Sequence, residues 1–229
     1  MGKRKIESWR RTHVLEVLND LGIRAADVLQ ANFVVWIEGP SDRIYLNRWI
    51  GLMAPELVGG IDYSIMFYGG RLLSHLSLLR DELGLSAEEL IKLLRINQNS
   101  AIVIDSDRTR SDAEINETKT RIVKECKEAG VLCWVTAGRE MENYLTPACV
   151  AAVYDEMTCS QRDFTLGTYQ KIGRVLESAY RAQWKAAFNY DSDKPALARR
   201  IVANISEMPD RLDLRIRMRE LVQRIRAAN

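Results

Sequence analysis

The chain has 229 residues, enough for one large domain or two small ones, and its 47% hydrophobic content is sufficient for a buried core. It contains no run approaching the ~18 apolar residues of a membrane helix, and the basic N-terminus does not lead into an apolar segment. These features exclude a membrane-spanning protein. They predict a folded, cytoplasmic protein without a secretory signal.

The charges are unevenly distributed along the chain. Residues 161–229 contain 14 Lys and Arg against 8 Asp and Glu, whereas residues 1–160 contain 19 against 23. An acidic front part and a basic tail are typical of a metal site beside a phosphate-binding surface. Long helices with solvated arginines would give the same distribution.

Few side chains could bind a soft or borderline metal ion. The four cysteines are never spaced as Cys-x-x-Cys, and the chain has only two histidines. We therefore expect reduced core thiols and no three-histidine zinc site. A metal ion would be held mainly by oxygen ligands, which suit Mg²⁺ or Mn²⁺.

Short apolar segments alternate with helical patterns along the first 135 residues, which predicts a parallel α/β sheet covered on both faces. The predicted strands are Phe33–Ile37, Tyr63–Tyr68, Ala101–Ile104 and Val131–Val135. The predicted helices are Ile6–Leu21, Ser41–Trp49 with Ser41 as N-cap, a pattern from Leu72 to Leu94, Ala113–Ala129, Lys171–Ala187, Pro195–Ile205 and Leu212–Ala227.

The start of the last predicted helix is ambiguous. Apolar residues alternate with charged ones between Leu212 and Met218, which is the period of a strand. A helix is favoured because the apolar residues from Leu214 onward share one helical face. Those residues are Leu214, Met218, Leu221, Val222 and Ile225.

Acidic residues follow three of the predicted strands. In a parallel sheet, loops and helix N-termini converge at the carboxyl ends of the strands, and ligands bind there. Asp105 and Asp107, two positions apart, would point to the same side of an extended chain. The six acidic residues are Glu38, Asp42, Asp105, Asp107, Glu140 and Glu142.

Six carboxylates in one place would repel one another unless a cation or protons neutralised them, and a divalent metal ion is the simplest neutraliser. Each acid also has an ordinary explanation when considered alone. Asp42 could interact with a helix dipole, Asp107 could pair with Arg108 or Arg110, and Glu140 could face solvent. Their common position after strands favours the metal site.

Four motifs resemble a known family. They are Glu38-Gly39-Pro40-Ser41-Asp42-Arg43, Ile104-Asp105-Ser106-Asp107, Gly138-Arg139-Glu140-Met141-Glu142-Asn143-Tyr144 and Asp193-Lys194-Pro195-Ala196-Leu197-Ala198. The first two resemble the Toprim fold of topoisomerases, primases and several nucleases. Together the four resemble the C-terminal Toprim region of the overcoming-lysogenization-defect (OLD) family of nucleases. Residues 21–32 and 225–229 are also similar, so the resemblance covers nearly the whole chain.

The resemblance implies a fold and an activity. The fold would be a Toprim-type, mostly parallel sheet flanked by helices, with an N-terminal helical lead-in over residues 1–32, a catalytic domain over 33–159 and an added helical subdomain over 160–229. The activity would be a metal-dependent DNA endonuclease that uses two divalent cations, Mg²⁺ or Mn²⁺. The implied metal ligands are Glu38, Asp42, Asp105, Asp107, Glu140 and Glu142, without assignment to either ion.

Glu38 and Lys194 are the catalytic residues that the resemblance implies. Lys194 matches a lysine that faces the reacting phosphate in the family, and it would stabilise transition-state charge there. The residues alone favour an ordinary exposed lysine at a helix start, beside Asp193 as a capping residue.

The sequence departs from the family in one respect. OLD proteins usually carry an ATPase domain, but no Gly-x-x-x-x-Gly-Lys-Ser/Thr loop occurs here, so we do not expect ATP hydrolysis. The chain is either the nuclease half of a longer protein or a free-standing relative. An ATPase domain or subunit and a second copy of the chain are the protein partners to consider.

Two alternative functions stay open: a Toprim nuclease acting on RNA such as tRNA, and a non-catalytic module that assembles with or regulates an ATPase. DNA would be bound through its backbone phosphates, because the sequence contains no base-reading module. The tryptophans Trp36, Trp49, Trp134 and Trp184 occur in apolar patterns and are expected to pack in the core.

Overall fold

The computed structural model of the protein describes residues 31–68, 99–150, 165–176 and 190–229. The helices predicted over Ile6–Leu21 and between Leu72 and Leu94 lie outside these residues. Cys159, Trp184 and most of the helix predicted over Lys171–Ala187 also lie outside them. Among the described helices, none is both long enough and apolar enough to cross a membrane.

Four parallel strands form the sheet of the described residues. They are β1 (Phe33–Ile37), β2 (Tyr63–Phe67), β3 (Ser100–Ile104) and β4 (Leu132–Val135), in the spatial order β2-β1-β3-β4. Val35 of β1 pairs with Ile65 on one side and with Ala101 on the other. Every residue of β1 and β3 is buried, as expected for central strands covered on both faces. The predicted α/β class with a parallel sheet is confirmed.

Helices accompany the strands in the described residues, and residues 147–150 and 172–176 are helical in addition to the elements with described ends. Those elements are α1 (Pro40–Met53), α2 (Glu117–Ala129), the 3₁₀-helix Met141–Tyr144, α3 (Tyr190–Ala203) and α4 (Leu214–Ala228). Helix α2 packs on β4, and both α3 and α4 pack on α1. The sheet is therefore flanked by helices, and the C-terminal helices reach the helix that follows β1.

Two helix starts differ from the prediction. Helix α1 begins at Pro40 with Gly39 as N-cap, so Ser41 is not the cap, because the fixed φ of proline suits the first helical position. Helix α2 begins at Glu117 rather than at Ala113, because the Asn116 side chain accepts a hydrogen bond from the Lys119 N–H at 2.8 Å. Helix α2 ends at Gly130, as predicted, with φ of 72°.

Helix α3 begins five residues before the predicted start at Pro195. The proline lies inside the helix, where it removes one hydrogen bond but does not end the element, because Ala198 and Ile201 are buried in the core. Asp193 and Lys194 therefore both lie inside a helix and not at its start.

One hydrophobic core joins the sheet to the C-terminal helices. The buried face of α4 consists of the predicted residues Leu214, Met218, Leu221, Val222 and Ile225, so the helical interpretation of this segment is confirmed. Trp36, Trp49 and Trp134 are buried, as predicted. Cys126, Cys133 and Cys149 are free thiols. The division into domains at residues 32 and 159 stays a prediction.

Candidate functional site

The strand order places two of the acidic residues at the topological switch point of the sheet, where the connections between strands lead off to opposite sides. From β1 the chain crosses to β2 on one side, whereas β3 and β4 lie on the other side. Ligands bind to open parallel sheets at this switch point, beyond the carboxyl ends of the two strands. Glu38 directly follows β1 and Asp105 directly follows β3, so both lie at the switch point.

Asp42 lies in the first turn of α1, four residues after Glu38. Its Oδ2 accepts a hydrogen bond from the Gly39 N–H at 2.9 Å, and the residue is only 4% exposed. A carboxylate in this position interacts favourably with the helix dipole, as considered from the sequence. Its other oxygen, Oδ1, is buried and has no hydrogen-bond partner among the described residues.

Glu142 is presented by the 3₁₀-helix after β4, and it is fully buried. The Asn143 side chain fixes this helix, because its Oδ1 accepts from the Glu140 N–H at 2.8 Å and its Nδ2 donates to the carbonyls of Gly167 and Gln170. A Cβ at Gly138 would lie 2.5 Å from the Asn143 Cβ, so this approach requires glycine.

The Tyr144 hydroxyl anchors the same 3₁₀-helix through three hydrogen bonds. It accepts hydrogen bonds from Trp134 Nε1 and from the Ala137 N–H, both at 3.0 Å, and it donates to Asp213 Oδ1 at 2.7 Å. Strand β4, its loop and the segment before α4 are thereby joined through one oxygen atom.

The loops after β3 and β4 are also joined directly. Ser106 Oγ donates to the Gly138 carbonyl at 2.6 Å, and the Ser106 N–H donates to Thr136 Oγ1 at 2.9 Å. The Asp107 N–H donates to the Arg139 carbonyl at 2.9 Å. The acidic residues of the two loops are therefore held at a fixed separation by hydrogen bonds between the loops.

Burial and mutual repulsion raise the pKa of four of the acids. Burial is the larger cause in each of them, followed by charges of neighbouring acids for Asp42, Asp105 and Glu140. The pKa of Asp42 and that of Glu140 rise to about 7. The pKa values of Glu38 and Asp105 are also raised. At neutral pH Asp42 and Glu140 are therefore only partly ionised without a further cation.

Lys194 supplies one positive charge to this cluster. Its Nζ lies 3.0 Å from Glu142 Oε1. Burial alone would lower the pKa of Lys194, but the carboxylates of Glu142, Asp42 and Asp105 outweigh burial and raise it. The ammonium also interacts electrostatically with Asp42, because α3, which carries it, packs on α1.

One ammonium does not satisfy all the buried acceptors. Glu142 Oε2 and Asp42 Oδ1 have no hydrogen-bond partner in the described residues, and Glu142 Oε1 has only the ion pair with Lys194. Leaving a buried carboxylate oxygen without a partner costs about 1–3 kcal/mol, and more when the group is charged. Such oxygens call for a ligand that the chain does not itself provide.

Asp107 differs from the prediction. Its backbone has φ of 55°, so the chain is not extended there, and its side chain is 65% exposed. It forms an ion pair with Lys119 and not with Arg108 or Arg110, because the left-handed turn brings it to the start of α2. Its charge still contributes to the raised pKa of Glu38. Asp107 therefore lies at the rim of the cluster.

The structure thus gathers Glu38, Asp42, Asp105 and Glu142 around Lys194. Glu140 lies beside Glu142 and Lys194, and its Oε1 accepts from the Ile172 N–H at 2.8 Å. It is buried and does not face solvent. Over the described ranges, no three Asp, Glu, His or Cys side chains are already arranged to hold a metal ion.

Sequence reasoning missed several residues of the site. Lys119 is 2% exposed and contacts the loop after β3, and the Asn116-x-x-Lys119 cap that places it could have indicated its position. Asn143 and Tyr144 were seen only as part of a motif. Comparisons with protein-family models, with curated proteins and with solved structures found no match for this chain.

Proposed function

We propose that the protein is a metal-dependent nuclease of the Toprim type, related to the OLD family, that hydrolyses phosphodiester bonds of DNA. The observation that carries the proposal is the group of buried and half-buried carboxylates around the switch point of the sheet, two of which keep unpartnered oxygens. Buried charges are otherwise paired or bound to metal.

The donor set fits hard divalent cations. Glu38, Asp42, Asp105 and Glu142 offer only carboxylate oxygens, which suit Mg²⁺ and Mn²⁺. Glu140 and Asp107 are further ligands from the edges of the cluster. Binding requires some of these side chains to turn, since the described acids are not yet arranged around one point. Two bound cations would activate water and stabilise charge on both reacting oxygens of a phosphodiester.

The chain's own residues have separate tasks in this proposal. Lys194 keeps a partly buried positive charge beside Glu142, where it would attract a phosphate and stabilise the charge that develops during hydrolysis. Burial of Asp42 and Glu142 excludes water from the ligand side of the site. The hydrogen bonds of Asn143 and Ser106 hold the ligand-bearing loops in place before substrate arrives.

We propose that DNA is held through its backbone phosphates, with an ATPase domain or subunit and a second copy of the chain as protein partners. Trp36, Trp49 and Trp134 are all buried, so none of these three tryptophans offers a surface for base stacking. Little sequence preference and a strong salt dependence of binding are therefore expected. The work of the nuclease would be cytoplasmic.

The test is cleavage of supercoiled plasmid with Mg²⁺ or Mn²⁺, with EDTA as the blank. The expected result is nicked and linear DNA, lost in Asp105→Asn and Glu38→Gln. Asp112→Asn changes an exposed aspartate beyond the loop and should leave cleavage intact. Cleavage of tRNA but not of plasmid would identify an RNA nuclease. Undiminished cutting by Asp105→Asn would reject the site.

A further inference from the structure

Lys119 is a buried cation outside the predicted set of site residues. Its Nζ donates to the Asp105 carbonyl at 2.7 Å and forms an ion pair with Asp107 Oδ2. The Lys119 side chain is 3% exposed, whereas that of Asp107 is 65% exposed. Lysine is almost never fully buried unless it is paired, so these two contacts are the reason that this lysine can lie here.

Both contacts of Lys119 fall on one turn. Between Asp105 and Asp107 the chain leaves β3 and enters the left-handed region at Asp107, a conformation that costs a non-glycine residue about 1–2 kcal/mol. The ammonium binds the carbonyl at the start of this turn and the side chain at its end. The Asp107 N–H also donates to the Arg139 carbonyl. The conformation of Asp107 is therefore imposed from both sides.

The helix start fixes the position of the ammonium. Asn116 caps α2 by accepting the Lys119 N–H, which places Lys119 in the first turn, directly beside the loop after β3. Only one oxygen of Asp107 is used by the ion pair. The ion pair restrains the carboxylate, and the Asp107 side chain is still 65% exposed, so its other oxygen is open to a ligand.

We propose that Lys119 is a positioning residue of the metal site, which holds the Asp107 carboxylate and the Asp105 main chain in the orientation that receives a divalent cation. This inference rests on the proposed function, because it concerns the same site. Partners that orient metal ligands typically contribute a factor of 10–100 to metal affinity. A lysine that merely competed with the cation would have the opposite effect on affinity.

The test is Mn²⁺ binding to the full chain by titration calorimetry and by electron paramagnetic resonance of free Mn²⁺. We expect Lys119→Met to weaken binding about 10–100-fold, with Lys119→Arg restoring part of the affinity. Lys124→Met, an exposed lysine on the same helix, should bind as the wild type does. Unchanged or tighter binding by folded Lys119→Met would overturn the proposal.

A second measurement covers the case in which Lys119→Met does not fold. With ¹⁵N-labelled lysine, the wild-type protein should show a slowly exchanging ammonium signal, which Asp107→Asn shifts and saturating Mg²⁺ leaves visible. Disappearance of this signal on adding Mg²⁺ would show that the cation displaces Lys119, which overturns the positioning role. Absence of any Mn²⁺ binding by the wild type would instead reject the proposed function itself.

Discussion

Two neighbouring polar regions, both with buried side chains, differ in whether their hydrogen-bonding groups have partners. Below the tip of β4, the side chains of Ser106, Thr136, Asn143 and Tyr144 all have partners, and Tyr144 alone has three. In the acidic cluster beside them, Asp42 and Glu142 keep oxygens without hydrogen-bond partners among the described residues.

This difference distinguishes a region that stabilises the fold from a region that can bind a ligand. A satisfied buried network stabilises one conformation and has no remaining capacity for a ligand. A buried carboxylate without a partner costs free energy in the empty protein, and this cost is recovered only when a cation or a proton arrives. The network should therefore respond to mutation but not to metal, and the acidic cluster should respond to both.

The largest effect is expected for Lys194→Met. It leaves Glu142 buried without its positive partner, and breaking a buried pair in this way costs about 3–5 kcal/mol. Urea unfolding in EDTA should show this loss, and saturating Mg²⁺ should stabilise the variant more than the wild type. Lys127→Met, on the surface of α2, is the control. Equal stability of Lys194→Met and wild type in EDTA would contradict the comparison.

Tyr144→Phe should cost about 3 kcal/mol, because the Trp134 indole and the Ala137 N–H both lose their acceptor. The loss should be the same in EDTA and in Mg²⁺. Tyr63→Phe removes a single hydrogen bond to Asn47 and should cost about 1 kcal/mol. Both values come from urea unfolding. A Tyr144→Phe variant rescued by Mg²⁺ would place Tyr144 in the ligand-responsive region.

The pH dependence of stability has a definite sign. In the folded protein the pKa values of Asp42 and Glu140 rise to about 7, from the ordinary values of 3.8 and 4.5. Between about pH 4 and pH 7 the folded state binds more protons than the unfolded state, so stability falls as pH rises. Melting temperatures in EDTA should decrease across this range, and Mg²⁺ should flatten the decrease. A rise in melting temperature towards pH 7 in EDTA would refute this.

The smallest effect is expected at the exposed ion pair between Arg110 and Asp112. Both side chains are more than 70% exposed, and Asp112→Asn should change the free energy of unfolding by less than about 0.5 kcal/mol. Urea unfolding in EDTA and in Mg²⁺ should give the same value. A larger loss than that of Tyr144→Phe would show that burial does not control these differences.

The parts of the fold that follow from local patterns could be predicted. The strands β1 and β3 are continuous apolar runs, and the buried face of α4 follows the helical period from Leu214 to Ile225. The acids at the strand tips could be predicted for the same reason, because their positions depend only on where strands end. The strand order, which brings Glu38 and Asp105 together, follows from long-range pairing that no local pattern records.

The details of the turns could not be predicted. Gly39 follows β1 directly, but its φ of −152° is open to any residue, so this turn does not require glycine. Gly138, four residues before the fully buried Glu142, is where a side chain cannot fit. Likewise Asp107 leaves the extended conformation at a turn that a lysine twelve residues later contacts. Each of these depends on which distant atom approaches the backbone.

The hydrogen bond of Glu140 makes one backbone amide a reporter of ligand binding at the acidic cluster. One carboxylate oxygen of Glu140 accepts a hydrogen bond from the N–H of Ile172, a residue in a separate stretch of chain. A cation bound by Glu140 would compete for the negative charge of its carboxylate and weaken the hydrogen bond from the Ile172 N–H. Deuterium uptake at the Ile172 amide would thus report cation binding by the acidic cluster. The measurement needs neither substrate nor fluorescent label, and it works even in variants that have lost all turnover.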